Sequence, residues 1–281
     1  MRRVQKIIDF RLRPPYKGYV DGVRFSQPDK LARRIRDCGF EPASSIMSRS
    51  IEDTISEMDE AGIDLGVAPV KRCSDGDVRN EDALALVSEY PNRFVAFISP
   101  EPGNLHDAAD EVEELLANSS AKGVVLECGK WDTPLHLDDR RLYPIYDRCE
   151  RLRVPVLLMG GGNAGPDFTY SSPIPIGRVA RDFPDLKIVM AHGGWPWVGV
   201  TLQIALECEN VYVSPDAYLF GFYGWQSYVD AANGYLRDRF LFATGFPYIP
   251  LGPGVDRFRA MFDAQVLPKL LYENAARVLG L

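Results

Sequence analysis

Three side-chain types stand where chemistry could be done. His192 closes the apolar run Leu186–Ala191 and is followed by Gly193 and Gly194. Arg11 and Arg13 close an earlier apolar run, spaced i and i+2, so both fall on one face of an extended strand. Glu127 follows the run 123–126, and Asp216 follows 211–213. One imidazole and two carboxylates arriving from three strands could hold zinc, manganese or iron with positions open to water. The same Glu127, His192 and Asp216 could act without metal, His192 as general base and a carboxylate orienting it. Two guanidinium groups side by side grip carboxylates through parallel hydrogen bonds, which suits a small anionic substrate. The plainer alternative is that Arg11 and Arg13 simply pair with Glu127 and Asp216, because buried charges need partners.

These positions acquire meaning from the elements that must carry them. Apolar runs of strand length recur at residues 6–10, 63–70, 93–98, 123–126, 154–159, 187–191, 211–213 and 240–243. Helical patterns follow them, with Ser50 as an N-cap ahead of Glu52 and Asp53 and with Gly62 as a stop. Pro196 suits the first turn of the helix expected over 196–207. Strand then helix, eight times with short connections, predicts parallel strands joined by right-handed crossovers. The predicted fold is α/β: a single (β/α)8 barrel over residues 1–281, with an insertion in the first βα loop (residues 16–49) and an extra C-terminal helix. No glycine fingerprint follows the first strand, where an open dinucleotide-binding sheet would carry one.

In such a barrel the carboxyl ends of the strands build the site, and Arg11, Arg13, Glu127, His192 and Asp216 all fall there. Asn163, Trp195 and Tyr218 join the two arginines as candidates for contacting substrate. Tyr218 belongs to an aromatic loop with Phe220, Phe222, Tyr223 and Trp225 that could wall a pocket. The glycines 160–162 read as close backbone packing or a loop over the mouth. His106 and His136 lie in polar surroundings and read as surface residues. Five scattered cysteines without a CxxC pair predict reduced, buried thiols and a cytoplasmic protein; Cys128, at a strand end, is the exception to watch.

The totals exclude several classes. A net charge of −7 and a pI near 5.1 leave no basic excess to neutralise nucleic-acid phosphates. No apolar run approaches the roughly 18 residues that span a bilayer. The expected partners are a small-molecule substrate and, as barrels of this kind commonly associate, further copies of the chain.

The segments IIDFRLRPP, LDDRRLYPIYDRCERLRVPVLLMGGG, LKIVMAHGGWPWV, LFATGFPY and LLYENAARVLGL resemble the amidohydrolase-related TIM-barrel family. That family includes metal-dependent hydrolases, lactonases and decarboxylases of the aminocarboxymuconate-semialdehyde type. The resemblance runs from the first strand to the last helix. It implies a metal site made by His-x-His on the first strand, a histidine on the fifth, a histidine on the sixth and an aspartate on the eighth. Here those places hold Arg11 and Arg13, Met159, His192 and Gly245. Arginine has no lone pair to offer a cation. The main expectation is therefore a hydrolase for a small anionic, carboxylated substrate, with a shifted metal site at Glu127, His192 and Asp216 or with none, as the resemblance implies for some lactonases. A decarboxylase of the same family and a non-catalytic binding barrel are the alternatives.

Overall fold

The computed structural model describes residues 6–73, 76–162 and 164–281, with the backbone alone at Val23. Seven parallel strands form one sheet in sequential order: β1 (Ile8–Asp9), β2 (Leu65–Pro69), β3 (Phe94–Ile98), β4 (Gly123–Leu126), β5 (Val156–Met159), β6 (Ile188–Ala191) and β7 (Val211–Ser214). Strands β3 to β7 are buried along their whole length. This is why they read as unbroken apolar runs rather than as alternating ones. Register is continuous across the sheet, with Leu126 beside Leu158, Leu158 beside Met190 and Met190 beside Val213.

Residues 240–243, expected as an eighth strand, do not form a regular one. They make a single bridge from Phe240 to Val213 and two further backbone bonds, Leu241 N–H to Val213 O at 3.0 Å and Phe10 N–H to Phe242 O at 2.9 Å. The physical reason is competition for the amides. Phe242 N–H donates instead to Leu270 O, 3.1 Å away in the π-helical turn Lys269–Glu273. Thr244 N–H donates to the Asp9 carboxylate at 3.0 Å.

Helices follow the strands as the periodicity predicts. The helix Ile51–Ala61 opens on Ser50, whose hydroxyl accepts from Asp53 N–H at 3.0 Å, and closes on left-handed Gly62. Ser50→Ala is expected to cost about 1 kcal/mol in chemical denaturation, because it orphans one amide of the first turn. Between β1 and this helix lie four short helices, Gly18–Asp21, Val23–Ser26, Pro28–Asp37 and Ser44–Ser48. Pro196 does not open the sixth helix, which runs Val198–Glu207. Among the described residues no helix is long and apolar enough to cross a membrane.

Candidate active site

The loop after β6 and the loop after β7 are joined by one carboxylate. Asp216 is 2% exposed, and its Oδ2 lies 2.9 Å from Arg11 Nη1. The same oxygen accepts His192 N–H at 3.2 Å, while Oδ1 accepts Ala217 N–H at 2.6 Å. His192 and Asp216 both adopt left-handed backbone, with φ of 57° and 46°. For residues with a Cβ this costs roughly 1–2 kcal/mol each, so their surroundings must hold them there. Besides Asp216, Tyr228 hydroxyl donates to Gly193 O at 2.8 Å, and Trp195 N–H returns to His192 O at 3.0 Å.

The glycines beside them are required by close approach. A Cβ on Gly194 would lie 2.0 Å from Thr201 Oγ1, and one on Gly161 would lie 2.6 Å from Trp195 N. The run 160–162 therefore packs against the sixth-strand loop, with Gly194 N–H bonded to Gly160 O and Gly162 N–H to Trp195 O. Met159, at the place of the family's fifth-strand histidine, is buried at the end of β5.

Arg11 and Arg13 come off β1 together, as their spacing predicts, but they are held differently. Arg11 is anchored by Asp216, and its own N–H donates to Asp9 Oδ1 at 3.0 Å. Asp9 also accepts from the Thr244 hydroxyl and amide. Burial, opposed by these bonds, lifts its carboxyl to about 6. Arg13 donates through Nε to Pro69 O at 2.9 Å and through Nη2 to Val70 O at 3.2 Å. Burial, then the charges of Arg24 and Arg11, push its guanidinium down to about 9; Glu127 opposes them. Arg13 thus remains charged at neutral pH, in a place where a further negative charge is favoured.

His192 is held well below the ordinary imidazole value by burial and then by Arg11, Arg13, Arg24 and Lys130. It is neutral at pH 7. Its Nε2 lies 4.0 Å from Asp216 Oδ2, in contact but beyond a hydrogen bond. Burial raises the Asp216 carboxyl, with Arg11 opposing. Four buried polar atoms of this group have no partner among the described residues: Arg11 Nε, Arg13 Nη1, Glu127 Oε2 and His192 Nδ1. Buried polar atoms of this kind call for a ligand or water.

The aromatic side of the site is partly as expected. Trp195 and Tyr218 stack with centroids 4.8 Å apart and planes at 14°, Phe222 meets both edge-on, and Tyr218 packs on the edge of His192 at 5.6 Å. The other loop aromatics turn elsewhere. Phe220 is buried against Phe40, Tyr223 faces solvent, and Trp225 begins the helix Trp225–Asn233. Asn163 lies outside the described residues.

The expected metal set is not assembled. Among the described residues no three His, Cys, Asp or Glu side chains come together to hold a metal ion. Glu127, His192 and Asp216 fail as a donor set because Asp216 is already paired with Arg11, and Arg13 stands within charge range of Glu127. A dication placed there would face two guanidinium groups, so zinc, manganese or iron does not fit these residues. Cys128 is buried, and burial pushes its thiol well above the usual range, which removes it as a nucleophile.

Several residues of the mouth were not read from the sequence. Asp9 carried a signal, a charge inside an otherwise apolar strand. Arg24, Lys130 and Tyr248 carried none, since they reach the site from short helical turns and loops without periodicity; Arg34 lies on the amphipathic helix Pro28–Asp37, whose pattern shows a helix but not that its exposed face meets the mouth.

Comparison with known proteins places this geometry. A family model described as amidohydrolase matches residues 39–281. The structure of an uncharacterized TIM-barrel protein from Bordetella bronchiseptica is 42% identical, with a TM-score of 0.93 and 98% of each chain covered. A dihydroxybenzoic acid decarboxylase from Polaromonas, with bound manganese and the inhibitor 2-nitroresorcinol, superposes at a TM-score of 0.70 with 18% identity, covering 98% of this chain and 97% of that one. That likeness is one of fold. A 2-amino-3-carboxymuconate-6-semialdehyde decarboxylase from Dictyostelium discoideum is 25% identical over 132 residues, 41% of this chain. The match spans 36% of that relative's length.

Proposed function

The chain belongs to the amidohydrolase family, and we propose that within it this protein is a decarboxylase of a small carboxylated substrate that uses guanidinium charge in place of a metal ion. The observation that carries this reading is the buried arginine pair. Arg11 is fixed by Asp216, while Arg11 Nε and Arg13 Nη1 remain as buried donors without an acceptor among the described residues. A substrate carboxylate or an adjacent oxyanion supplies that acceptor. Similarity to decarboxylases, in part of the sequence and in the fold, supports this reaction over the hydrolysis expected from sequence.

The residues divide the work as follows. Arg13 and Arg11 hold the anionic end of the substrate and stabilise charge that develops beside it. Trp195, Tyr218 and Phe222 offer an apolar wall to a ring. Neutral His192 takes a proton from a substrate hydroxyl and returns it to the carbon bearing the carboxylate. The carbon–carbon bond then breaks, its electron pair stays with the substrate, and carbon dioxide leaves. The transient imidazolium faces Asp216. We read the segment 240–243, bonded to Phe10 and to Val213 of β7, as completing a (β/α)8 barrel around this mouth.

One observation favours a second reading. A neutral His192 can equally take a proton from water, so hydrolysis of an ester or lactone remains the competing reaction.

The test is a panel of carboxyl-labelled hydroxybenzoates and lactones, assayed before and after chelator treatment. Release of labelled carbon dioxide that survives chelation is expected, with Arg13→Met lowering kcat/KM by about 10²–10³-fold. Lactone hydrolysis without carbon dioxide release would replace the reaction assigned here. Activity lost on chelation and restored by manganese would overturn the role given to the arginines. Ligand binding without turnover would make the chain a binding barrel.

A further inference from the structure

The mouth is positive in an acidic protein. The chain carries −7 overall, yet the largest charges acting on His192 are those of Arg11, Arg13, Arg24 and Lys130, with Asp216 Oδ2 4.0 Å from its Nε2. Asp216 answers Arg11, and Glu127 acts on Arg13. Two arginines of the segment after β1 extend this charge outward. Arg24 lies on the helix Val23–Ser26 and Arg34 on the helix Pro28–Asp37. Their guanidinium carbons stand 5.2 and 5.9 Å from the centroid of the Tyr248 ring.

Tyr248 connects this rim to the buried pair. Its N–H donates to Gly245 O at 3.2 Å, and a Cβ on Gly245 would lie 3.3 Å from Arg11 Nη1 and 3.4 Å from Asp216 Cβ. Going outward, Arg11 is buried, Tyr248 is half-buried and Arg34 is exposed. Arg24 also donates a hydrogen bond to the Tyr248 phenol, while the planar donor fork of a guanidinium has the geometry that matches an oxyanion. We propose that Arg24, Arg34 and Tyr248 form a second carboxylate subsite, so that the substrate is a dicarboxylate held at both the buried arginine pair and the rim. The assignment of the inner carboxylate rests on the decarboxylase reading; the rim stands on its own geometry. Burial works to raise the Tyr248 phenol, but the charges of Arg24 and Arg34, with the Arg24 hydrogen bond and the charge of Arg11, hold it below its ordinary value.

The probes are benzoate and the three benzenedicarboxylates (phthalate, isophthalate and terephthalate), titrated calorimetrically into the full chain. At least one dicarboxylate is expected to bind at least about tenfold more tightly than benzoate, the gain of one further charge-assisted contact. The double variant Arg24→Gln/Arg34→Gln is expected to remove that advantage, with benzoate weakening by a clearly smaller factor than the dicarboxylate, because Arg24 also adds charge at Arg13. Arg34→Gln alone alters an exposed side chain, so it folds, and it is expected to remove part of the advantage. Tyr248→Phe keeps the ring under both guanidinium groups and is expected to lose only the contribution of the phenol. The proposal is overturned if no dicarboxylate exceeds benzoate, if the advantage survives the double variant, or if benzoate weakens equally, which would mean a general field and no subsite. Dicarboxylate preference without carbon dioxide release would overturn the decarboxylase reading and leave the rim subsite standing.

Discussion

Replacing Arg11 with methionine is expected to destabilise the protein by about 3–5 kcal/mol, the cost of leaving a buried charge without its partner. Asp216 has almost no exposure, and Arg11 Nη1 is its one cationic contact within 3 Å among the described residues. Methionine fills similar volume, so packing loss adds little and the effect is electrostatic. The loss spreads beyond the pair, because the same carboxylate holds His192 N–H and Ala217 N–H and so keeps His192 in its left-handed conformation. Asp216→Asn is expected to be destabilising as well, since it strands the guanidinium. The double variant Arg11→Met/Asp216→Asn should cost clearly less than the sum of the singles, because each single change leaves a charge that the double change removes. Urea denaturation of all three variants at pH 7 measures this. A loss under about 1 kcal/mol for Arg11→Met would place the pair among solvated surface bridges and remove its role as the anchor of the site.

His192→Gln is expected to lower kcat by about 10²–10⁴-fold, the usual contribution of a positioned acid–base group. The wild-type rate should show no inflection near 6.5. Burial and the surrounding arginines keep the imidazole neutral well below that pH, so the acidic limb of the profile is displaced downward. The same shift has a consequence for stability. A histidine whose folded pKa is depressed binds its proton more readily in the unfolded chain. Its contribution is complete above the unfolded value near 6.5 and is lost as pH falls toward the folded value. Asp9 acts in the opposite sense: raised to about 6, it favours the native state as pH falls from that value toward its unfolded value near 3.8. Subtracting the pH–stability curve of His192→Gln from that of the wild type isolates the histidine. The difference should shrink on acidification below 6.5. A flat difference, or an imidazole whose NMR shifts titrate at 6.5, would show that His192 is solvated and not poised as a base.

Much of the scaffold was legible because it is local. Ser50 with the acids after it, Gly62, and the apolar runs of β2 to β7 each declare themselves within about ten residues, and each sits within a residue or two of its expected place. The eighth run forms no regular strand for an equally physical reason: the Phe242 amide is taken by Leu270 O and that of Thr244, just after the run, by Asp9, groups far away in the chain. At the site, the spacing of Arg11 and Arg13 sufficed to put them together, and the glycines beside His192 sufficed to mark a tight turn. Neither could say which acid each arginine meets.

The amino-acid order by itself therefore determined the alternation of strand and helix and the family resemblance, which in turn sets Arg11, Arg13, Met159 and Gly245 where metal ligands were expected. The tertiary structure alone decided that Asp216 pairs with Arg11, and that Arg24 and Arg34 stand over the Tyr248 ring. Arg11 and Asp216 are separated by 205 positions. Patterning acts over a few turns of chain, whereas a contact at that separation exists only once the sheet has curled and brought its first and last strand ends together.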